Sequence, residues 1–119
     1  MITRTRRVVR WVACTMLVGF STEQAMAGGV SNATVVQVAP DGPNAFFVYV
    51  NVAPTGTPAC GIATSGNYRY VIDVTTDVGK AMVATALTAY VGKSLIDIVG
   101  LGSCAVWDDT ETISYMLAH

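Results

Sequence analysis

The sequence predicts an α+β domain in which a curved antiparallel sheet of about five strands packs against one helix. Three observations lead to this fold class. Short runs rich in Val, Ile, Tyr and Phe alternate with turns that contain Gly and Pro. One run with helical periodicity lies between the third and the fourth of them, and a cysteine lies on each side of that run. A single helix in such an order covers one side of the sheet.

Residues 1–27 have the three parts of a secretory signal peptide. Arginines are concentrated in the first ten residues, residues 11–20 are apolar, and residues 25–27 are the small-residue cleavage site Ala-Met-Ala. The apolar stretch is shorter than the about 20 residues that a membrane-spanning helix needs. We therefore expect cleavage after Ala27, with no stable membrane anchor afterwards, and residues 28–119 as a single domain in the periplasm or secreted. The general secretory route is expected, and adjacent arginines keep twin-arginine export open.

Removal of the leader changes both the charge and the cysteine count. Four arginines and Glu23 leave with it, so the remaining domain has three basic and seven acidic residues and a net charge of about −4. Without a basic cluster, the domain is not expected to bind nucleic acid or an anionic membrane surface. Cys14 also leaves, and the remaining pair, Cys60 and Cys104, is predicted to form one disulfide.

The first half of the domain is predicted to consist of strands. Residues 28–32 lead loosely into the fold, and strands are expected at 33–39, 46–52 and 68–74. The turn residues Pro-Asp-Gly-Pro-Asn join the first two strands, which form a hairpin. The second strand has one uniformly apolar face, which is typical of a sheet that is covered on one side. Residues 54–67 are predicted to be a loop that the disulfide holds down.

The one helix is predicted over residues 78–91. Thr75, Thr76 and Asp77 offer N-terminal capping groups, and Gly92 is expected to end the helix in a left-handed conformation. Its core face is predicted from four apolar residues: Val83, Leu87, Tyr90 and Val91. Many alanines in the helix permit close packing on the sheet, which is the preferred interpretation, or on the helix of a second copy.

Two further strands complete the predicted order β, β, β, α, β, β. The strand at 95–99 is nearly all apolar and is expected to be central, and the strand at 112–117 is expected to direct Ile113, Tyr115 and Leu117 to one side. A small, partly closed OB-like barrel with the helix at one end is one realisation of this order.

The candidate ligand-binding residues follow Cys104. The segment contains Trp107, Asp108, Asp109 and Glu111, and Tyr115 follows on the last strand. An indole can stack on the apolar face of a sugar ring while carboxylates accept from its hydroxyls. The alternative is a solvated turn in which the tryptophan packs on the disulfide. The spacing matches no twelve-residue calcium loop, and we expect neither a metal nor a cofactor.

No catalytic residues are predicted. His119 is the only histidine and lies at the end of the chain, where ends tend to fray. Cys104 is assigned to the disulfide, and no pair of carboxylates stands out as an acid and a base. The domain is therefore expected not to be an enzyme.

Two resemblances accompany these patterns. The second half of the chain resembles a group of small exported bacterial proteins without assigned function. The resemblance lies in residues 79–82 and 86–89, Gly92-Lys93, Gly102-x-Cys104 and residues 107–115. The whole order, with its Gly-Thr-Pro loop before the first cysteine, also resembles the receptor-binding B subunits of bacterial AB-type toxins of the subtilase-cytotoxin kind. That resemblance implies an OB barrel, a pentameric ring and recognition of sialoglycans. It carries over no sugar-contacting residue.

The sequence thus predicts an exported, disulfide-bonded binding module without enzymatic activity. Its expected partner is a glycan or a protein, and self-association into a homo-oligomer is part of the prediction. The alternative is a small periplasmic or secreted inhibitor or protective protein that binds an enzyme such as a lysozyme. The negative charge of the domain would steer it to a basic partner of this kind.

Overall fold

The computed structural model describes residues 27–61 and 68–119, and these form one sheet and one helix. The predicted leader lies outside the described residues except for Ala27, and so does the 62–67 part of the predicted loop. The elements in chain order are β1 Gly29–Asp41, β2 Ala45–Val50, β3 Tyr68–Asp73, α1 Asp77–Gly92, β4 Leu95–Gly100 and β5 Ile113–Ala118. The predicted α+β fold class and its order are confirmed.

The five strands form an open antiparallel sheet in the order β3-β2-β1-β4-β5. β1 is 13 residues long, and its first half pairs with β4 whereas its second half pairs with β2. Such a shared strand must bend, and register shifts interrupt both ladders of β1. A single parallel bridge between Val71 and Thr112 joins the two edges, so the open sheet curls toward a partly closed barrel.

The core lies between the concave side of the sheet and the helix. Its largest fully buried side chains come from three different strands: Tyr70, Ile72, Ile96, Ile98, Val48 and Val50. β4 lies between β1 and β5, as its apolar sequence predicted. Residues 29–32 were expected to be a loose leader, but they belong to β1, because their backbone pairs with β4.

The helix begins as predicted and ends differently. The side chain of Thr76 accepts from the backbone N–H of Gly79 at 2.9 Å, which caps the N-terminus. The left-handed residue at the C-terminus is Lys93, with φ 57°, and Gly92 belongs to the helix itself. The prediction that Gly92 adopts the left-handed conformation was therefore wrong by one residue.

The predicted core face of the helix was also wrong. The buried residues are Gly79, Met82, Ala86 and Ala89. Leu87, Tyr90 and Val91 are exposed, and Val83 alone of the predicted four packs against the core. Small residues on the buried face let the helix approach the sheet closely. The helix is therefore packed on the sheet through these small residues, and its larger apolar side chains stay outside the core. The packing of the helix on the sheet confirms the preferred interpretation of its alanines, in which the small residues face the sheet of the same chain.

The two sides of β5 differ from the prediction as well. Ile113 is buried and Met116 packs against the core, whereas Tyr115 and Leu117 are more than half exposed. The ladder with β4 shifts register between Val99 and Gly100, opposite the start of β5. This irregularity breaks the simple alternation of a strand, so that Ile113 and Met116 face the core together.

Two helix glycines offer a paired test of this packing. A Cβ at Gly79 would overlap the carbonyl of Asp73, whereas a Cβ at Gly92 would meet only the Ser94 hydroxyl, at 3.7 Å. We expect Gly79→Ala to lower the free energy of unfolding by about 1–3 kcal/mol through overpacking. Gly92→Ala should raise it by up to about 1 kcal/mol, because Ala is the better helix former. Urea unfolding measures both, and equal effects of the two substitutions would contradict the packing.

Asp97 of β4 contacts β1 at the register shift between Val30 and Ala33, and the pH dependence of stability tests this contact. Its carboxylate accepts from the backbone N–H of Asn32 at 2.8 Å and lies 3.1 Å from the Nε2 of His119. The Asn32 hydrogen bond, followed by the His119 contact, lowers the pKa of Asp97 below its ordinary value of 3.8. The stability that these contacts give is therefore present above pH 3.8 and is lost as the pH falls through the lowered pKa. Asp97→Asn should be less stable than the wild type at pH 7, with a difference that shrinks in acid. A difference that is constant from pH 7 to pH 2 would contradict this assignment.

Candidate functional site

A pocket of about 240 Å³ lies beside β3, where three separate segments of the chain meet. Tyr68, Arg69 and Tyr70 of β3 line one side, and Asp109 and Glu111 line another. The third side is formed by the loop after β2, through Ala53, Pro54, Thr57 and Gly61. β3 is an edge strand, so side chains from both of its faces border the same pocket.

The disulfide links two of these three sides. Cys60 and Cys104 are bonded, as predicted, across 44 positions of the sequence, with their Cα atoms 6.2 Å apart. Cys60 lies in the loop after β2 and Cys104 in the loop between β4 and β5. The bond therefore limits how far the loop at 53–61 can move from the segment that contains Asp109 and Glu111.

The Arg69 side chain of the pocket contacts three other side chains. Its Nη2 donates to Oδ1 of Asp109 at 2.7 Å, and its Nε donates to the hydroxyl of Thr110 at 2.9 Å. Its guanidinium also lies over the ring of Phe47, 4.8 Å from the centroid. The side chain of Asp109 retains 38% of its exposure and that of Arg69 retains 23%, so the ion pair is still reachable from solvent.

Trp107 supports this network from the outer face of the sheet. Its ring meets that of Phe47 edge-on, with the centroids 4.9 Å apart and the planes at 83°. Phe47 belongs to a second, smaller hydrophobic cluster together with Ala45 and Val71. Trp107 packs on this cluster, and in this position it holds the loop of Asp109 against β3.

Glu111 is buried, with 4% of its surface exposed. Its carboxylate accepts from the backbone nitrogen of Gly28, at 3.1 Å for Oε1 and 2.9 Å for Oε2, and from that of Gly102 at 2.9 Å. A Cβ at Gly28 or at Gly100 would overlap this carboxylate. The glycines thus make room for the backbone to surround a charged group, which must be hydrogen-bonded when it is buried.

Tyr70 forms the innermost part of the pocket lining. It is 1% exposed, and its buried hydroxyl has no hydrogen-bond partner among the described residues. Burial, followed by the negative charge of Glu111, raises the pKa of Tyr70 well above its ordinary value. The phenol therefore stays protonated and neutral at physiological pH.

The structure distributes the five predicted ligand-binding residues over three depressions. Asp109 and Glu111 line the pocket beside β3. Trp107 and Asp108 border a second depression that Asp109 also lines, and Tyr115 lies on β5, more than half exposed, at the edge of a third. The alternative of a solvated turn fits Asp108, which is exposed, but not Glu111, which is buried.

Sequence reasoning missed the β3 side of the pocket. Tyr68-Arg69-Tyr70 was assigned to a strand without a role, although an arginine between two tyrosines is a visible signal for a surface that combines charge and aromatic rings. The partner of this arginine could not be found from the sequence, because Asp109 lies 40 positions away.

Two other kinds of feature are absent from residues 27–61 and 68–119. No group of three or more His, Cys, Asp or Glu side chains is placed to hold a metal ion. No helix in this part of the chain is long and apolar enough to cross a membrane.

These features define the class of the protein as a disulfide-bonded α+β domain with a polar and aromatic surface pocket. No family model, curated protein or solved structure matches the chain. The resemblances to exported bacterial proteins and to toxin B subunits stay predictions.

The buried hydroxyl of Tyr70 predicts a stabilising substitution. Because this hydroxyl is buried and has no partner among the described residues, it has lost its hydration, and Tyr70→Phe should raise the free energy of unfolding by about 1 kcal/mol. Tyr68→Phe, at a half-buried position of the same strand, is the control and should change it by less than about 0.5 kcal/mol. Guanidinium unfolding measures both variants. A loss of stability in Tyr70→Phe would show that the hydroxyl is hydrogen-bonded.

Proposed function

We propose that this chain is an exported, non-enzymatic binding module whose pocket beside β3 takes one ring of a carbohydrate. The predicted leader and the Cys60–Cys104 disulfide support export, because disulfides form and persist in oxidising compartments. The observation that carries the ligand class is the convergence of Tyr68 with the Arg69–Asp109 ion pair in one pocket.

These groups suit the two kinds of surface that a sugar ring presents. A tyrosine ring offers an apolar face on which the C–H face of a sugar can stack. A guanidinium donates and a carboxylate accepts hydrogen bonds, and hydroxyl groups do both. Arg69 and Asp109 are already fixed by each other, by Thr110 and by Phe47, so little conformational entropy would be lost when a ligand binds.

The size of the pocket limits the ligand. Pockets for drug-sized molecules range from about 300 to 1,000 Å³, and 240 Å³ is below that range. The pocket therefore suits a single terminal ring, with the rest of a glycan outside it. A terminal sugar that carries a carboxylate would gain a further interaction with Arg69.

The state of the carboxylates supports binding without catalysis. Asp109 is paired with Arg69, and both oxygens of Glu111 accept from backbone nitrogens. Proton transfer to a glycosidic oxygen would require one of these groups to leave its partners and to approach the ligand as an acid. Groups that are held in this way are better suited to orienting a ligand.

A glycan array with the labelled domain tests this proposal. Arg69→Met removes the charge and keeps an apolar stem over Phe47, and it should weaken binding to any glycan hit by at least about tenfold. Tyr68→Ala should weaken it similarly through the loss of stacking. Asp108→Asn, an exposed carboxylate in the same loop, is the matched control and should bind like the wild type. Circular dichroism of each variant confirms that it is folded.

Two results would contradict the proposal. Binding that survives both Arg69→Met and Tyr68→Ala would place the ligand elsewhere. Silence of the wild type across the array, combined with inhibition of a lysozyme in a turbidity assay, would favour the inhibitor that the sequence predicts as the alternative. The native mass of the domain, measured in the same experiments, tests the predicted self-association independently.

A further inference from the structure

The backbone nitrogen of Gly28 lies directly against the carboxylate of Glu111. The two distances are 3.1 and 2.9 Å, and the two residues are 83 positions apart in the sequence. Gly28 and Glu111 are both buried, whereas Ala27 is exposed. The boundary between an exposed and a buried residue therefore coincides with the peptide bond at which cleavage of the leader is predicted.

We propose that the α-ammonium group of Gly28, created when the leader is removed, forms a buried ion pair with Glu111. Hydrolysis of the bond between Ala27 and Gly28 leaves the carboxylate on Ala27 and the amino group on Gly28. That amino group takes up a proton near neutral pH. The neutral amide of the precursor is thereby replaced by a positive charge at a position where a negative charge is already buried.

The geometry fits an ammonium better than an amide. Gly28 in a peptide bond has one N–H, which must be shared between the two oxygens of Glu111. An ammonium has three protons and can give one to each oxygen. The carbonyl of Gly28 is held independently by the N–H of Gly100 at 2.7 Å, so the residue stays in position after cleavage.

The charge balance around Glu111 points to the same conclusion. A buried carboxylate is costly unless it is both hydrogen-bonded and paired with a cation. Within the described residues Glu111 has no ion pair, since Arg69 pairs with Asp109 and Lys80 lies next to Asp77. The third basic residue of the described part, Lys93, is exposed at the end of the helix. The new N-terminus is thus the cation that this buried site would receive on maturation.

Only glycine suits the first position of the mature domain. A Cβ on Gly28 would overlap the carbonyl of Gly56 as well as Glu111. The predicted signal peptide requires only a small residue before the cleavage point, so the glycine after it is explained by the fold rather than by processing. Removal of the leader would in this way complete the charge pattern of the domain and stabilise it.

A four-protein cycle tests the ion pair. Two chains begin at Gly28 and two retain Ala27 as one additional residue, which the structure accommodates because Ala27 is exposed. Each start is combined with Glu111 or with Glu111→Gln. In the chains that begin at Gly28, the substitution should lower the midpoint of thermal unfolding by more than about 10 °C. In the chains that retain Ala27, the drop should be less than half as large, because the ammonium group then lies on the exposed Ala27 and Gly28 offers Glu111 only a neutral amide.

Equal drops in the two pairs would overturn the proposal, since they would mean that Glu111 acts only through hydrogen bonds to neutral amides. Asp108→Asn in both starts is the control for the loss of a carboxylate from the same loop, and it should give no difference between them. The mass of the protein recovered after export gives the cleavage point, and a mature chain that does not begin at Gly28 would also overturn the proposal.

Chemical reactivity gives a second measure that does not depend on the folding of any variant. An α-amino group ordinarily reacts with acetic anhydride before lysine near neutral pH, because its pKa is about 7.7–8.0 against about 10.4 for lysine. In the native domain we expect the opposite order, with the exposed Lys80 and Lys93 acetylated at least about tenfold faster than Gly28. The ordinary order should return in urea. Rapid acetylation of Gly28 in the native protein would overturn the ion pair.

Discussion

The burial of the Glu111 carboxylate is the constraint on which the closed side of this fold depends. The carboxylate accepts from Gly28, ahead of β1, and from Gly102, after β4, while the main-chain carbonyl of the same residue accepts from Val71 on β3. One residue therefore ties together the start of the sheet, the loop between β4 and β5 and the opposite edge strand. A charge in this position must be satisfied on all sides, and this need explains why glycines surround it and why the two sheet edges meet there.

The Arg69 network and the disulfide stabilise the surface that this closure creates. Arg69 links β3 to the loop after β4 through Asp109 and Thr110. Its guanidinium lies over the ring of Phe47, which Trp107 meets edge-on at the outer face of the sheet. The disulfide attaches the loop after β2 to the same region. A small domain buries a limited core. The ion pair, the aromatic contacts and the disulfide therefore stabilise loops that lie outside the hydrophobic core. The pocket lies where these loops converge, and its polar side chains are held in place by their contacts with one another.

Several elements were predictable because their signals are local. Turn residues at 40–44, the Thr76 cap and the uniformly apolar face of β2 each depend on neighbours within a few positions. The errors arise where tertiary packing competes with a local pattern. Leu87, Tyr90 and Val91 have helical spacing and yet are exposed, because the helix presents its small residues to the sheet. Tyr115 and Leu117 alternate correctly for a strand, but the register shift at Gly100 turns them away from the core.

The sequence by itself determined the order of strands and helix, the cysteine pair and the acidic character of the domain, because each of these follows from composition and from spacing along the chain. It also predicted candidate ligand-binding residues in the segment after Cys104. Only the tertiary structure decided that Asp109 belongs to Arg69, that Glu111 is buried beneath the backbone of Gly28, and that Trp107 supports the pocket from outside. These pairs are joined across 40 to 83 positions or across the face of a sheet. Their energy comes from desolvation and geometry, which local sequence patterns do not encode.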